Sequence, residues 1–249
     1  MIGIMGMIIW DEFISGLTAV VLAGGFGTRL RAEVPDLPKP LAEVAGRPFL
    51  TYLFDQLISW GVRRAVLSTG YKGESISDRF GSAYAELSLD YSHETEPLGT
   101  GGALRLAASL DLGDCVLVMN GDSICQLDFR QFAEWTLARD GAGGVLLTEV
   151  DDGARYGQVE TDEGGRIIRF REKSAVPGRV LINAGVYLLR HEAIMSIPER
   201  RRVSLEKDMF PRWIDEGLIG FPGGGKFIDI GVPADYHRAA TVLHMFVDT

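Results

Sequence analysis

The chain has 249 residues, of which 46% are hydrophobic and 24% charged, with a net charge of −9. These are ordinary globular values, so a collagen-like, disordered or disulfide-scaffold protein is excluded, and the length suits one large α/β domain. The acidic balance opposes sequence-independent binding to nucleic-acid backbones but leaves room for a locally cationic pocket. Two cysteines, Cys115 and Cys125, and four histidines without metal spacing argue against a zinc site and fit a reducing cytoplasm. Cys115, in an apolar run, reads as a core residue.

Met1 to Trp10 is apolar but is interrupted by Asp11 and Glu12. It is too short to span a bilayer and lacks the basic flank and small-residue site of a signal peptide. A loose extension, a packed segment or an early start codon are preferred to a membrane anchor. Residues 1–17 are therefore set apart from one domain over 18–249.

Thr18 to Ala23 is a continuous apolar run of the kind found in buried parallel strands. It leads into Gly24-Gly25-Phe26-Gly27-Thr28-Arg29, and a proline-rich loop follows from Pro35 to Pro40. Pro48 opens a helix whose Leu50, Leu53, Phe54, Leu57 and Ile58 fall on one face, with Gly61 beyond its end. Strands are expected over Ala65–Thr69, Leu89–Ser92, Cys115–Met119 and Gly144–Val150. Helices are expected over Glu74–Phe80, Gly101–Ser109 and Phe129–Ala138. This alternation predicts a mostly parallel sheet with helices on both faces.

After residue 150 the rhythm changes. Gln158–Thr161 and Arg166–Phe170 flank a turn and read as a hairpin; Leu181–Leu189 reads as a long strand. Ser204 starts a partial capping box, with Lys207 where Glu or Gln is usual. Phe227–Ile230 is a short strand and Pro233–Phe246 a helix, apolar on one side, which leaves internal packing or a homo-oligomer contact open. The second half is thus a small β-rich elaboration on the sheet.

Glycines after a first strand let backbone N–H groups approach a polyphosphate. A dinucleotide fingerprint would need glycine where Leu30 stands, and the Gly-Lys-Ser/Thr of a P-loop is absent. Arg29 and Lys39, the latter stiffened between Pro38 and Pro40, supply cations near the loop; two solvated surface cations are the plainer alternative. Asp122 and Asp229 sit at the ends of apolar runs, where carboxylates with phosphate oxygens suit Mg²⁺ and where a helix cap or turn role is equally open. Arg200-Arg201-Arg202 reads as a solvated face, with a phosphate-facing role as the lesser alternative.

The ordered set of Leu22-Ala23-Gly24-Gly25, Gly27-Thr28-Arg29-Leu30, Pro38-Lys39-Pro40, Leu98-Gly99-Thr100-Gly101-Gly102, Asn120-Gly121-Asp122, Glu172-Lys173, Asn183-Ala184-Gly185 and Asp229-x-Gly231 resembles the sugar-1-phosphate nucleotidyltransferases, from about residue 18 to the end. Among their branches it is most similar to the guanylyltransferases for mannose 1-phosphate and D-glycero-D-manno-heptose 1-phosphate. The heptose branch is the nearer, on Ser204-Leu205-Glu206-Lys207-Asp208 and Phe227-Ile228-Asp229-Ile230-Gly231. The resemblance implies a Rossmann-like, GT-A-like α/β fold and an enzyme joining GTP and a sugar 1-phosphate into an NDP-sugar for surface polysaccharide, with release of pyrophosphate. It implies that Leu22, Ala23, Gly24, Gly25, Gly27 and Thr28 hold base and ribose with Glu94, Gly99 and Thr100. Arg29 would bind the β- and γ-phosphates, and Lys39 would lie by the α-phosphate. Asp122 and Asp229 would bind Mg²⁺. Gly157, Glu172 and Asn183 would meet the sugar hydroxyls, and Lys173 its phosphate. A uridylyltransferase and a non-catalytic nucleotide-sugar-binding subunit are the alternatives; the phosphate-handling set Arg29, Lys39, Asp122, Lys173 and Asp229 favours the enzyme.

Overall fold

The protein is described from a computed structural model, over residues 10–25, 27, 30, 33–35, 37–172 and 178–246. A helix over 10–16, α1, precedes strand β1 (Thr18–Leu22). A 3₁₀ turn (Lys39–Leu41), the two-residue strands β2 (Glu43–Val44) and β3 (Arg47–Pro48), and helix α2 (Phe49–Ser59) follow. The chain continues through β4 (Arg64–Thr69), α3 (Gly73–Phe80), β5 (Ala83–Tyr84), β6 (Leu87–His93), α4 (Gly99–Ala107), β7 (Cys115–Asn120) and β8 (Ser123–Cys125). Next come α5 (Phe129–Leu137), β9 (Gly143–Val150), β10 (Gly157–Thr161), β11 (Ile167–Glu172), β12 (Val180–Arg190) and α6 (His191–Met195). A π turn (Leu205–Met209), α7 (Phe210–Asp215), β13 (Leu218–Gly224), β14 (Phe227–Asp229) and α8 (Pro233–Val242) complete it.

The main sheet runs β11-β10-β12-β7-β1-β4-β6-β5. Strands β7, β1, β4 and β6 are parallel, as the alternation of strand and helix predicts. Their side chains alternate between two cores: Ala19 and Val21 of β1 face one cluster with α2, and Val20 faces the other with Leu104 and Ala107 of α4. Leu50, Leu53, Phe54 and Leu57 of α2 are fully buried, each contributing about 1.5–3 kcal/mol of apolar burial.

The second half belongs to the same sheet and makes it mixed. Strand β12 runs antiparallel to β7, pairing Val186 with Met119, and β9 pairs antiparallel with β12 and parallel with β13. The expected hairpin forms as β10 and β11, and β10 joins β12 through Gln158 and Ile182. Strand β9, which reads in sequence as another member of the parallel series, lies instead on β12. Strand order along the chain favours sequential neighbours but does not fix which edge a given strand joins.

At the N-terminal side, Ile14 and Leu17 are buried and the Trp10 ring stands 6.1 Å from Phe129, so residues 10–17 lay one face on the core while Asp11, Glu12 and Ser15 stay exposed; residues 1–9 lie outside the described residues. No described helix is long and apolar enough to cross a membrane. Cys125 is buried, whereas Cys115, at the start of β7, is only partly so. Burial pushes the Cys115 thiol up to about 11 and that of Cys125 to about 12, which leaves both as protonated, unreactive thiols at neutral pH.

Candidate active site

Chain order around β1 reverses at its two neighbours: β4 and β6 lie on one side and β7 on the other. In an open α/β sheet such a reversal opens a crevice at the carboxyl ends of the strands. Here that crevice is a cavity of about 290 Å³, lined by Leu22, Ala23, Gly24, Gly25 and Gly27 after β1 and by Ser68 of β4. Glu94, Pro97, Gly99, Thr100 and Ala103 add to the wall, and Asn120, Gly121 and Asp122 follow β7. Lys39, Pro40 and Arg202 complete the lining.

The glycine loop is gripped from both sides. The N–H of Ala23 donates to the Ser68 carbonyl at 2.8 Å, and the N–H of Gly121 donates to the Leu22 carbonyl at 3.0 Å. Gly24 lies against the Glu94 carboxylate, where a Cβ would collide with Oε1. Gly27 has φ +60° and sits under the lysine stem, with a Cβ placed only 2.8 Å from Lys39 Cγ. Gly27→Ala therefore meets two penalties, left-handed strain and displacement of Lys39. We expect it to lower kcat/KM by about 10²-fold, as a 1 Å misplacement of a reacting group does, with the melting temperature shifted by only a few degrees. Steady-state kinetics beside a thermal melt checks this; near-wild-type kcat/KM would show that Lys39 tolerates the shift.

Lys39 opens its 3₁₀ turn between the buried prolines Pro38 and Pro40, so its Cα is held by the core while its amine enters the cavity. Its Nζ donates to Asp122 Oδ2 at 3.1 Å, and its side chain is 12% exposed against 38% for Asp122. The second acid arrives from the far end of the chain. Strand β14 pairs with β8, setting Asp229 opposite Ser123, and the N–H of Ile230 donates to the Asp122 carbonyl at 2.9 Å. Asp229 Oδ1 accepts from the N–H of Gly231 at 2.6 Å.

The residues expected at the sugar fall side by side on three strands. Gly157 of β10 lies opposite Glu172 of β11, and β12 flanks β10 at Ile182, next to Asn183. The Asn183 amide donates to the Tyr187 hydroxyl at 2.9 Å and accepts from the N–H of Gly185 at 2.9 Å. One amide hydrogen and one lone pair remain for a ligand. Since β12 is antiparallel to β7, its Asn183 end arrives at the carboxyl edge where Asp122 lies. Thr28, Arg29 and Lys173 lie outside the described residues.

Glu94 Oε2 accepts from the N–H of Leu98 at 2.7 Å. Burial holds its carboxyl above the usual glutamate range, partly offset by that hydrogen bond and by His93. At the start of α4 the N–H groups of Gly101 and Gly102 donate to the Val203 carbonyl at 2.9 and 3.2 Å. They dock the segment that carries Arg202. In sequence the arginine triple reads first as a solvated face and only second as ligand-facing, because no local signal marks the docking that brings Arg202 to the cavity.

A family model described as nucleotidyl transferase matches residues 18–245. The chain is 36% identical over 232 residues, covering 93% of itself and 100% of the relative, to a D-glycero-alpha-D-manno-heptose 1-phosphate guanylyltransferase from Aneurinibacillus thermoaerophilus. It is 35% identical to a mannose-1-phosphate guanylyltransferase from Mycobacterium tuberculosis, over 90% of this chain but 64% of that one. Its fold is similar to the crystal structure of HddC from Yersinia pseudotuberculosis complexed with GMP-PN, with a TM-score of 0.80, 36% identity, and coverage of 90% of this chain and 98% of that one. With its sheet, its switch-point cavity and the matched length together, the chain belongs to the nucleotidyl transferase family and is a nucleotidyltransferase.

Proposed function

We propose that the protein transfers the guanylyl group of GTP to a sugar 1-phosphate, D-glycero-D-manno-heptose 1-phosphate in the first place, yielding a GDP-sugar and pyrophosphate in the cytoplasm for surface polysaccharide. The observation that carries this reading is one cavity that brings together the glycine loop, the Lys39–Asp122 pair and the Glu94 carboxylate, with Gly27 against Lys39 and Gly24 against Glu94. Mannose 1-phosphate is the second reading, supported by the similarity to mannose-1-phosphate guanylyltransferases.

A phosphate oxygen of the sugar 1-phosphate attacks the α-phosphorus of GTP; that P–O bond forms as the bond to the bridging oxygen of pyrophosphate breaks. The nucleophile is already an anion, so no general base is required. The obstacle is repulsion between two anions, which Lys39, Arg29 and Lys173 offset, and positioning supplies much of the rest. Asp122 and Asp229, two carboxylates on neighbouring strand ends with substrate phosphates close by, fit the oxygen preference of Mg²⁺. They would hold the ion, which when bound neutralises phosphate charge. Lys39 leaves Asp122 for phosphate when substrate arrives. Gly157, Glu172 and Asn183 orient the sugar.

Glu94 gives the base preference. An ionised carboxylate only accepts, which matches the N1–H and amino group of guanine, whereas the mixed edge of uracil suits an amide. A site with matched partners rejects analogues strongly. A grid of four nucleoside triphosphates against heptose, mannose and glucose 1-phosphates, scored by pyrophosphate release, should give the highest kcat/KM with GTP and the heptose. Glu94→Gln should lower the GTP/UTP ratio about tenfold or more, the worth of one charged hydrogen bond. Because the Glu94 pKa is raised, the carboxyl protonates on acidification earlier than an ordinary glutamate, so the wild-type GTP/UTP ratio should fall at a pH above the usual glutamate value. A wild type that prefers UTP, or a ratio indifferent to Glu94→Gln, would defeat the assignment.

A further inference from the structure

The segment bearing Arg202 is fastened to the start of α4 by backbone bonds. The N–H of Val203 donates to the Leu98 carbonyl at 2.8 Å, and the Val203 carbonyl receives Gly101 and Gly102. Side chains reinforce the joint. The N–H of Leu205 donates to Thr100 Oγ1 at 2.8 Å, and that hydroxyl donates to Glu206 Oε2 at 2.9 Å. Gly99, at φ +71°, allows the approach, since a Cβ there would stand 2.6 Å from the Val203 carbonyl oxygen. So Arg202, although exposed, projects from a fixed backbone.

Leu98 is the common anchor. Its N–H is held by Glu94 and its carbonyl by Val203, so Glu94 and Arg202 flank a single residue and both line the cavity. Arg202 makes no hydrogen bond or ion pair with a described residue, and no ion pair joins it to Glu94. Arg202 thus has no partner among the described residues and shares with Glu94 both the Leu98 anchor and the cavity wall, so a base that meets the Glu94 carboxylate lies within the same part of the lining as the guanidinium.

We propose that Arg202 reads the O6/N7 edge of guanine, while Glu94 accepts from the adjacent N1–H and amino group; this rests on the guanylyl reading above. Guanine carries its two acceptors and its two donors on neighbouring edges, and the guanidinium fork matches O6 and N7 together. Adenine keeps N7 but turns an amino group toward the fork, and 7-deazaguanine loses N7.

The test compares kcat/KM for GTP, 7-deaza-GTP, ATP and ITP in wild type, Arg202→Ala and Arg202→Lys. Ratios within one variant cancel any loss of folded enzyme. A bidentate pair of this kind discriminates by about tenfold or more. In Arg202→Ala the GTP/ATP ratio should therefore fall by about tenfold and the GTP/7-deaza-GTP ratio should approach one. The GTP/ITP ratio, which probes the amino group at Glu94, should stay at its wild-type value. Arg202→Lys keeps the charge but not the fork and should lose most of the 7-deaza discrimination. An equal fall for all four triphosphates would make Arg202 a phosphate or structural residue and overturn the proposal, as would unchanged ratios. A wild type without GTP preference overturns the guanylyl reading and this proposal with it, whereas intact preference with indifferent Arg202 variants overturns this proposal alone.

Discussion

Asp122→Asn is expected to lower turnover by roughly 10³-fold at saturating substrates, the equivalent of several kcal/mol of lost charge stabilisation. Two functions are lost at once. The amide is a poor ligand for a hard divalent ion, and it no longer holds the Lys39 amine, now 3.1 Å away, by charge. The fold should survive. The pair is partly exposed, with Asp122 at 38%, and such ion pairs contribute about 0–1 kcal/mol, a melting shift of a few degrees at this size. Asp229→Asn should behave alike in turnover, because the β8–β14 ladder sets its backbone opposite Ser123, directly after Asp122. Pyrophosphate release across a Mg²⁺ titration, with excess chelator as the endpoint and circular dichroism as the control, measures this. Full activity in chelator, or wild-type turnover in either variant, would remove the metal assignment.

Lys39→Ala should lower kcat by about 10²–10³-fold, as loss of one preorganised charge at the reacting centre does. The 3₁₀ turn and its prolines keep the backbone in place, so the loss is of the amine and not of the loop. Arg29→Ala should act otherwise. Contacts to the β- and γ-phosphates are present in ground state and transition state alike, so its loss should mainly raise KM for GTP, by about tenfold, with kcat little changed. Pre-steady-state and steady-state rates separate the two. Effects confined to the KM for the sugar phosphate in both variants would refute the division of labour.

Much of the nucleotide half was legible from residue order. The apolar run from Thr18, the glycines that follow it, Lys39 between two prolines and Asp122 after the apolar run from Cys115 are local features, each within a few residues. Buried parallel strands must be continuous runs, and a loop that approaches a ligand must shed side chains, so both leave a mark in a short window. The structure brings the end of that run, Leu22 and Ala23, with Gly24, Gly25, Gly27, Lys39 and Asp122 around one cavity. The same holds for the hairpin of β10 and β11, whose turn residues announce it. Strand boundaries moved by one or two residues only, as at β6, which spans Leu87–His93 where Leu89–Ser92 was expected.

Composition, periodicity and motif order thus determined the fold class, the glycine loop and the acids at the strand ends. The tertiary structure alone decided how distant pieces meet. Lys39 and Asp122 are 83 positions apart, and Thr100 and Glu206 are 106 apart. Strand β9 could have extended the parallel series but lies on β12 and β13, and the Arg200–Arg202 segment could have been plain surface but is docked on α4. Neighbour choice within a sheet and the docking of a loop depend on hydrogen bonds and packing between segments that share no window of sequence. A backbone carbonyl such as that of Val203, which any residue could supply, leaves no trace in the amino-acid order.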